Sequence, residues 1–300
     1  MDRFATTTMN QPEKIHLVDG RAVTYALYGA PERRRWVVYL HGFPGSRLEG
    51  EVCDAAARRV GISVVAPDRP GFGSSDGQSE RCVGDWAQDI RAVCAALGIE
   101  RAAIIGVSGG GPYALACAAG APEIVAATHV VSGLAPPGAP GVLDGMALGN
   151  RLMFRVGHGL PGLARILTRA IGASWAASPR LCLAWFRTFV PPVDRRILDR
   201  PDVRVMMLNN IRCAFERRSG GAVDDFAALN APWGFELTAI NRPTTVWHGH
   251  ADTYVPPAMG AYLAASVPGA TLREFPAAGH LLILEILDDL FAAIRAELGQ

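Results

Sequence analysis

Residues 102–120 read AAIIGVSGGGPYALACAAG. The continuously apolar AAIIG predicts a strand over Ala102–Gly106 covered on both faces, as in a parallel sheet. The small and apolar GPYALACAAG predicts a helix over Gly111–Ala119. Between them stands Gly106-Val107-Ser108-Gly109-Gly110. A serine on so tight a strand-to-helix turn must adopt a strained backbone conformation, and only small neighbours let strand and helix come that close. Gly106 and Gly110 provide the room, and Pro112 is tolerated in the first turn of the helix. The Ser108 hydroxyl is then held clear of the backbone at the positive end of a helix. G-x-S-x-G alone is a weak signal in a chain with 33 glycines. Its bland reading is a glycine-rich loop that binds phosphate or nothing. The strand–turn–helix context makes Ser108 the candidate nucleophile.

The same alternation runs outward in both directions. Strands are expected at Ala22–Tyr28, Trp36–Leu40, Ile62–Ala66, Ala126–Val131, Thr244–Trp247 and Thr271–Phe275. Helices are expected at Arg47–Val60, Val83–Leu97, Pro257–Ser266 and Leu281–Leu298. Val83, Trp86, Ile90, Val93, Cys94 and Leu97 recur at helical spacing, an apolar stripe that faces a sheet. The pattern is that of an α/β fold built from strand–helix units. It breaks between about Gly133 and Ala239, where LAPPGAPG is followed by short helical patterns punctuated by Pro161, Pro179, Pro191, Pro192 and Pro201. Strands bracket this stretch, so 134–236 reads as an inserted helical cap over a core of 1–133 and 237–300 rather than as a helical edge of that core.

Composition narrows the class. A chain of 300 residues, 50% apolar and 19% charged, can bury roughly three-quarters of its unfolded surface. Disorder, collagen-like repeats and a disulfide-dense miniprotein are excluded. The net charge is +1, with 29 basic against 28 acidic residues and Lys14 as the only lysine. No basic excess marks a nucleic-acid binder. Cys53, Cys82, Cys94, Cys117, Cys182 and Cys213 show no CxxC pairing and read as buried free thiols rather than a disulfide framework. The N-terminus MDRFATTTMNQPEK carries no apolar run suited to a signal peptide, and no stretch of about 18 apolar residues suits a membrane span. A soluble, cytoplasmic setting is the expectation.

A serine hydroxyl needs a base to take its proton. His280, in AAGH after the last strand, lies at the strand's carboxyl end, on the same sheet edge as Ser108, where active sites of open α/β sheets collect. His248 and His250 compete, but both come straight after the preceding strand. The imidazole in turn needs a carboxylate. Asp252 in HGHADTYVPP stands at the right end of its strand, although it could also serve as a turn or N-cap residue before the helix near Pro257. The chain order Ser108, Asp252, His280 favours the catalytic role. His41-Gly42-Phe43-Pro44-Gly45-Ser46 follows the strand WVVYL at that same edge. One amide there, at Phe43, and one at Gly109 would meet a developing oxyanion from two directions. HGFPG taken alone could equally be a plain turn.

At this point the sequence resembles the α/β-hydrolase superfamily over nearly its whole length. HGFPGS looks like the oxyanion loop, DRPGFGSS (Asp68 to Ser75) like the loop after the next strand, and GVSGGG like the nucleophile elbow. HGHADTYVP looks like the acid loop and AAGH like the histidine loop. The resemblance implies an eight-stranded, mostly parallel sheet with helices on both faces and a helical lid after the sixth strand. DRPGFGSS is implied to be structural or entrance-lining. Ser108 stands where epoxide hydrolases and haloalkane dehalogenases of this fold carry aspartate, which disfavours those reactions. Val131-Ser132-Gly133-Leu134 holds no carboxylate at the other place where members carry the acid, so Asp252 has no rival. Gly109 departs from the bulky residue of proline iminopeptidases, and only Glu216 loosely suggests their amine grip.

The reading that follows is a serine hydrolase of carboxylic esters working through an acyl-enzyme, with no metal or organic cofactor. Ser108, Asp252 and His280 form the triad, and the Phe43 and Gly109 amides form the oxyanion hole. Gly42, Phe154, Trp185 and Phe189 are taken as substrate-binding, in keeping with a cap rich in large apolar side chains. The partner is a small-molecule ester, not nucleic acid or a membrane, and a homodimer is left open. Rival readings keep the triad but change the reaction: C–C bond or lactone hydrolysis, perhydrolysis, cyanohydrin cleavage or iminopeptidase chemistry. Another keeps the fold without turnover, as a small-molecule receptor or scaffold.

Overall fold

The apolar runs become the centre of an eight-stranded sheet in the computed structural model, which describes residues 12–299. The strands are β1 (Glu13–His16), β2 (Ala22–Gly29), β3 (Trp36–Leu40), β4 (Ser63–Pro67), β5 (Ala102–Val107), β6 (Val125–Val131), β7 (Thr244–Gly249) and β8 (Thr271–Phe275). Their spatial order is β1-β2-β4-β3-β5-β6-β7-β8. Only the β1–β2 and β2–β4 pairs are antiparallel. From β4 to β8 every pair is parallel.

Alternate side chains of the apolar strands serve opposite faces. Ile104 joins a core with Ile90 and Val93 of α2 (Trp86–Ala96), Leu115 of α3 (Gly111–Gly120) and Leu263 of α10 (Pro257–Ser266). Ile105 joins the opposite core with Ala57 of α1 (Asp54–Val60) and Leu290 and Phe291 of α11 (Ile283–Leu298). This is why β5 carries no polar alternation. β1 escaped the sequence pattern because EKIH is a short edge strand, mostly exposed, with no apolar periodicity. The expected helix Arg47–Val60 divides at Cys53 into a 3₁₀ segment, Arg47–Cys53, and α1.

Between β6 and β7 the chain forms six helices: α4 (Leu148–Gly159), α5 (Pro161–Ala177), α6 (Pro179–Phe189), α7 (Pro192–Leu198), α8 (Pro201–Ala214) and α9 (Gly220–Leu229). Four of them, α5 to α8, begin on the prolines that punctuate the sequence, where a missing amide hydrogen costs nothing. No helix among the described residues is long and apolar enough to cross a membrane. The six cysteines are free and all but Cys82 are buried. The N-terminal stretch read for a signal peptide falls mostly outside the described residues.

Register brings the carboxyl ends of the strands into line. Leu40 pairs with Gly106, Val107 with Val131, Val131 with Trp247, and Gly249 with Phe275. The loops after β3, β5, β7 and β8 therefore open at one edge. The loop after β4 is pinned there by Asp68, whose carboxylate takes the Arg47 amide, the Arg47 guanidinium and the Thr24 hydroxyl, each at 2.6 Å. Asp68→Ala leaves the nearly buried Arg47 unpaired and should cost roughly 3–5 kcal/mol of folding stability. A lowered urea midpoint at unchanged m value is the expected reading.

Candidate active site

The turn between β5 and α3 is as tight as its glycines suggested. A Cβ on Gly106 would stand 2.4 Å from the Gly110 carbonyl oxygen, and one on Gly110 would stand 2.1 Å from that of Leu40. Ser108 sits between them at φ +52°, in the left-handed region, a conformation that costs on the order of 1–3 kcal/mol.

This turn brings three distant residues together. Ser108 Oγ lies 3.0 Å from His280 Nε2, and His280 Nδ1 lies 2.8 Å from Asp252 Oδ2. A carboxylate can only accept, so Nδ1 carries the proton and Nε2 is left to accept from the serine hydroxyl. Asp252 Oδ1 accepts the amides of Tyr254 and Val255, each at 2.9 Å. One Asp252 oxygen thus serves the turn and the other faces the histidine. All three residues are buried. Burial alone would lower the His280 pKa, but the facing Asp252 carboxylate raises it above the ordinary 6.5. Of the competing histidines, His248 comes within 3.7 Å of Asp252 Oδ2, but its hydrogen bond goes to another group. His248 donates from Nε2 to the Val255 carbonyl at 2.9 Å and burial lowers its pKa. His250 pairs with Glu274 at the surface.

The HGFPGS loop lies against this group. A Cβ on Gly42 would be 3.6 Å from Ser108 Cβ, and one on Gly109 would be 2.7 Å from Phe43 Cβ and 3.2 Å from Phe43 N. A bulky residue at 109 would therefore push the loop away, which gives Gly109 a local reason. The Gly42 amide is committed to Glu49 Oε1 at 2.8 Å.

Sequence reasoning missed the polar groups that the inserted helices send to these loops. Asp194 of α7, fully buried, accepts the backbone amides of His280 at 2.7 Å and Leu281 at 3.1 Å. Asn210 of α8 accepts the Ser46 amide at 2.8 Å and donates to Glu49 at 3.1 Å. Asp225 of α9 pairs with Arg69, the residue after Asp68. The proline-broken helical patterns gave no periodicity from which such contacts could be read. Glu216 instead accepts from the Ser74 hydroxyl in an exposed contact.

Two cavities meet at Ser108, of ≈ 790 and ≈ 680 Å³ including their mouths. Gly42, His280, Glu49 and Asn210 line the first; Gly109 and Phe154 line the second; Trp185 and Phe43 border both. Phe189 borders neither. Its ring packs edge-on against Trp185 at 4.9 Å and lies over Gly149, so it supports the wall from behind.

Gly110→Ala should lower stability by roughly 1–3 kcal/mol through overpacking. Gly162→Ala, where a Cβ meets nothing within 4 Å, is the control and should be neutral or slightly stabilising. Thermal unfolding of the two variants beside the wild type checks the contrast.

A model of the alpha/beta hydrolase family matches residues 37–293. The chain is 26% identical over 252 residues to a 2-hydroxymuconate semialdehyde hydrolase from Pseudomonas putida, covering 81% of this chain and 77% of that protein. It superposes on an enol-lactonase from Burkholderia xenovorans with a TM-score of 0.71 at 20% identity, over 96% of this chain and 100% of that one. An esterase from Exiguobacterium antarcticum gives 0.69 at 18% identity, over 97% and 100%. At these identities structural likeness speaks to fold alone, but the family match spans most of the sequence, and the chain belongs to the alpha/beta hydrolase family.

Proposed function

We propose that the protein is a serine hydrolase that cleaves carboxylic esters of small, largely apolar substrates. The observation that carries this reading is the unbroken chain of contacts from Ser108 Oγ to His280 at 3.0 Å and from His280 to Asp252 at 2.8 Å. Ser108 attacks the acyl carbonyl while His280 Nε2 takes the hydroxyl proton, and Asp252 steadies the imidazolium that forms. The Phe43 and Gly109 amides receive the oxyanion, each worth roughly 3–4 kcal/mol in the transition state. Collapse expels the alcohol, protonated by His280. The acyl-enzyme is then hydrolysed by a water that His280 activates. The helices of 134–236 act as the cap over the acyl and alcohol halves. The unpaired cysteines favour a reducing, cytoplasmic setting.

Charge favours a neutral ester over an anionic substrate. Neither cavity bordering Ser108 is lined by Lys or Arg among the described residues, and the first carries the Glu49 carboxyl. A muconate-type acid would enter without a counter-ion. An enol-lactone is a cyclic ester and fits the same steps, so lactones belong in the substrate panel.

Hydrolysis of short and medium p-nitrophenyl esters should be measurable and should fall by several orders of magnitude in Ser108→Ala, with circular dichroism unchanged. Folded protein that turns over no ester or lactone of any chain length would refute the reading. The pH profile of kcat/KM provides a separate check. The working base is neutral His280, so the rate falls as pH drops through a pKa raised above 6.5. Asp252→Asn removes the group that raises it while burial persists. The acidic limb should then move to lower pH and kcat should fall by a factor on the order of 10⁴.

A further inference from the structure

Of two successive peptide groups in the loop after β3, the first is held at both ends by the buried side chains of Arg69 and Glu49, and the second is held at its carbonyl. His41 C=O accepts from Arg69 Nη1. The other end of that peptide group, Gly42 N–H, donates to Glu49 Oε1 at 2.8 Å. Gly42 C=O accepts from Arg69 Nη2 and from His41 Nδ1, each at 2.9 Å. His41 holds its own proton on Nδ1 because Nε2 accepts the Arg69 amide at 3.2 Å. In a planar trans peptide the carbonyl and the amide hydrogen point in opposite directions. Gripping Gly42 C=O therefore fixes the direction of Phe43 N–H, and Gly109 lies close by, a Cβ there standing 3.2 Å from Phe43 N.

The grip on Arg69 comes from the inserted helices. Its Nε and Nη2 form a fork on the two oxygens of Asp225, at 3.1 and 2.9 Å. Asp225 also accepts from Arg81 and Tyr113, each at 2.6 Å. Neither Arg69 nor Asp225 is exposed at all. Four of the five guanidinium donors are thus spent on one carboxylate and two consecutive carbonyls. Lysine has the charge but not the planar fork. Glu49 is held in the same manner by Asn210 of α8.

We infer that Arg69, anchored by Asp225 of α9, is a positioning residue that sets the direction of the Phe43 amide and so couples the seating of the cap to the oxyanion hole. The inference rests on the hydrolase reading above. It makes the cap part of the catalytic geometry and not merely a cover. Withdrawal of α9 releases the guanidinium, frees the 42–43 peptide to rotate and weakens binding of the tetrahedral intermediate; it also moves Phe226 and Leu229 of the second cavity wall, whereas substitution at Arg69 or Asp225, which line neither cavity, acts on the peptide alone.

The test compares ground-state with transition-state affinity in Arg69→Lys. For the best p-nitrophenyl ester, kcat should fall roughly 10²–10³-fold, the loss typical of one oxyanion donor, with KM unchanged. Affinity for a trifluoromethyl ketone analogue, which adds to Ser108 as a tetrahedral adduct, should fall by the same factor. Affinity for the matching ether, which has no carbonyl, should stay at the wild-type value. A merely structural role would lower thermal stability without separating the two inhibitors. Asp225→Asn, which loosens the anchor but leaves the guanidinium in place, should reproduce the pattern, and it carries the test if Arg69→Lys does not fold. A folded variant with wild-type kcat, or one whose ether affinity falls as far as its kcat, overturns the inference. Wild-type turnover, lost in Ser108→Ala, is measured alongside. Its absence overturns the hydrolase reading and this inference with it, whereas turnover undiminished in Arg69→Lys overturns this inference alone.

Discussion

The site depends on one close approach of backbone to backbone. The start of α3 lies so near the end of β3 that a single methyl group on Gly110 would stand 2.1 Å from the Leu40 carbonyl oxygen. That approach forces Ser108 into the left-handed region at φ +52°. It also sets the loop after β3 beside the turn, with Phe43 Cβ at 2.7 Å from where a Gly109 side chain would begin. The strain of this turn, on the order of 1–3 kcal/mol, is sustained because β5 is buried along its whole length between the two cores. A less rigid strand would relax the turn and withdraw the hydroxyl from His280.

A second constraint works from above. Asp194, Asn210 and Asp225 come from three successive inserted helices and hold two loops between them: Asp194 the one bearing His280, Asn210 the one bearing Phe43 directly, and Asp225 that same loop through Arg69. Burying such groups is costly, and a buried ion pair often contributes little net stability compared with an apolar replacement. Asp225 shows the balance. Burial alone would raise its carboxyl, yet Arg69 and Arg81 bring it down to about 2. What these contacts supply is direction. An apolar contact can hold two elements together but cannot fix the rotation of a peptide plane, whereas a forked guanidinium on two carbonyls can.

Sequence legibility follows from the same physics. The parallel strands were readable because double burial removes polar residues from them, as in WVVYL and AAIIG. Ser108, Asp252 and His280 were readable because each follows a strand, so their positions relative to strand ends placed them at one edge before any distance was known. β1 was not, since EKIH at a sheet edge buries little. Asp194, Asn210 and Asp225 were hidden for a different reason. They lie on short helices whose order along the chain says nothing about which loop they meet, and Arg69 is 156 residues from its partner. The DRPGFGSS motif read as structural or entrance-lining contains Asp68, which pins the loop after β4, and Arg69, whose contacts reach the loop after β3.

The choice of substrate lies in what surrounds the triad, because esters, lactones and C–C bonds next to carbonyls all accept the same attack by serine. The first cavity at Ser108 pairs apolar walls with Glu49, whose carboxyl burial pushes up and whose hydrogen-bond partners, Tyr39, Gly42 and Asn210, are all neutral. In its ionised form it repels an anion. The second cavity is bounded by Phe154, Phe226 and Trp175, and Tyr254 is the one ionisable group along its lining among the described residues. A substrate that straddles Ser108 therefore gains most when both halves are uncharged and apolar, since each charged group it carried would lose hydration without gaining a partner. That physical ground, beyond the triad alone, is what supports proposing neutral esters and their cyclic forms as substrates.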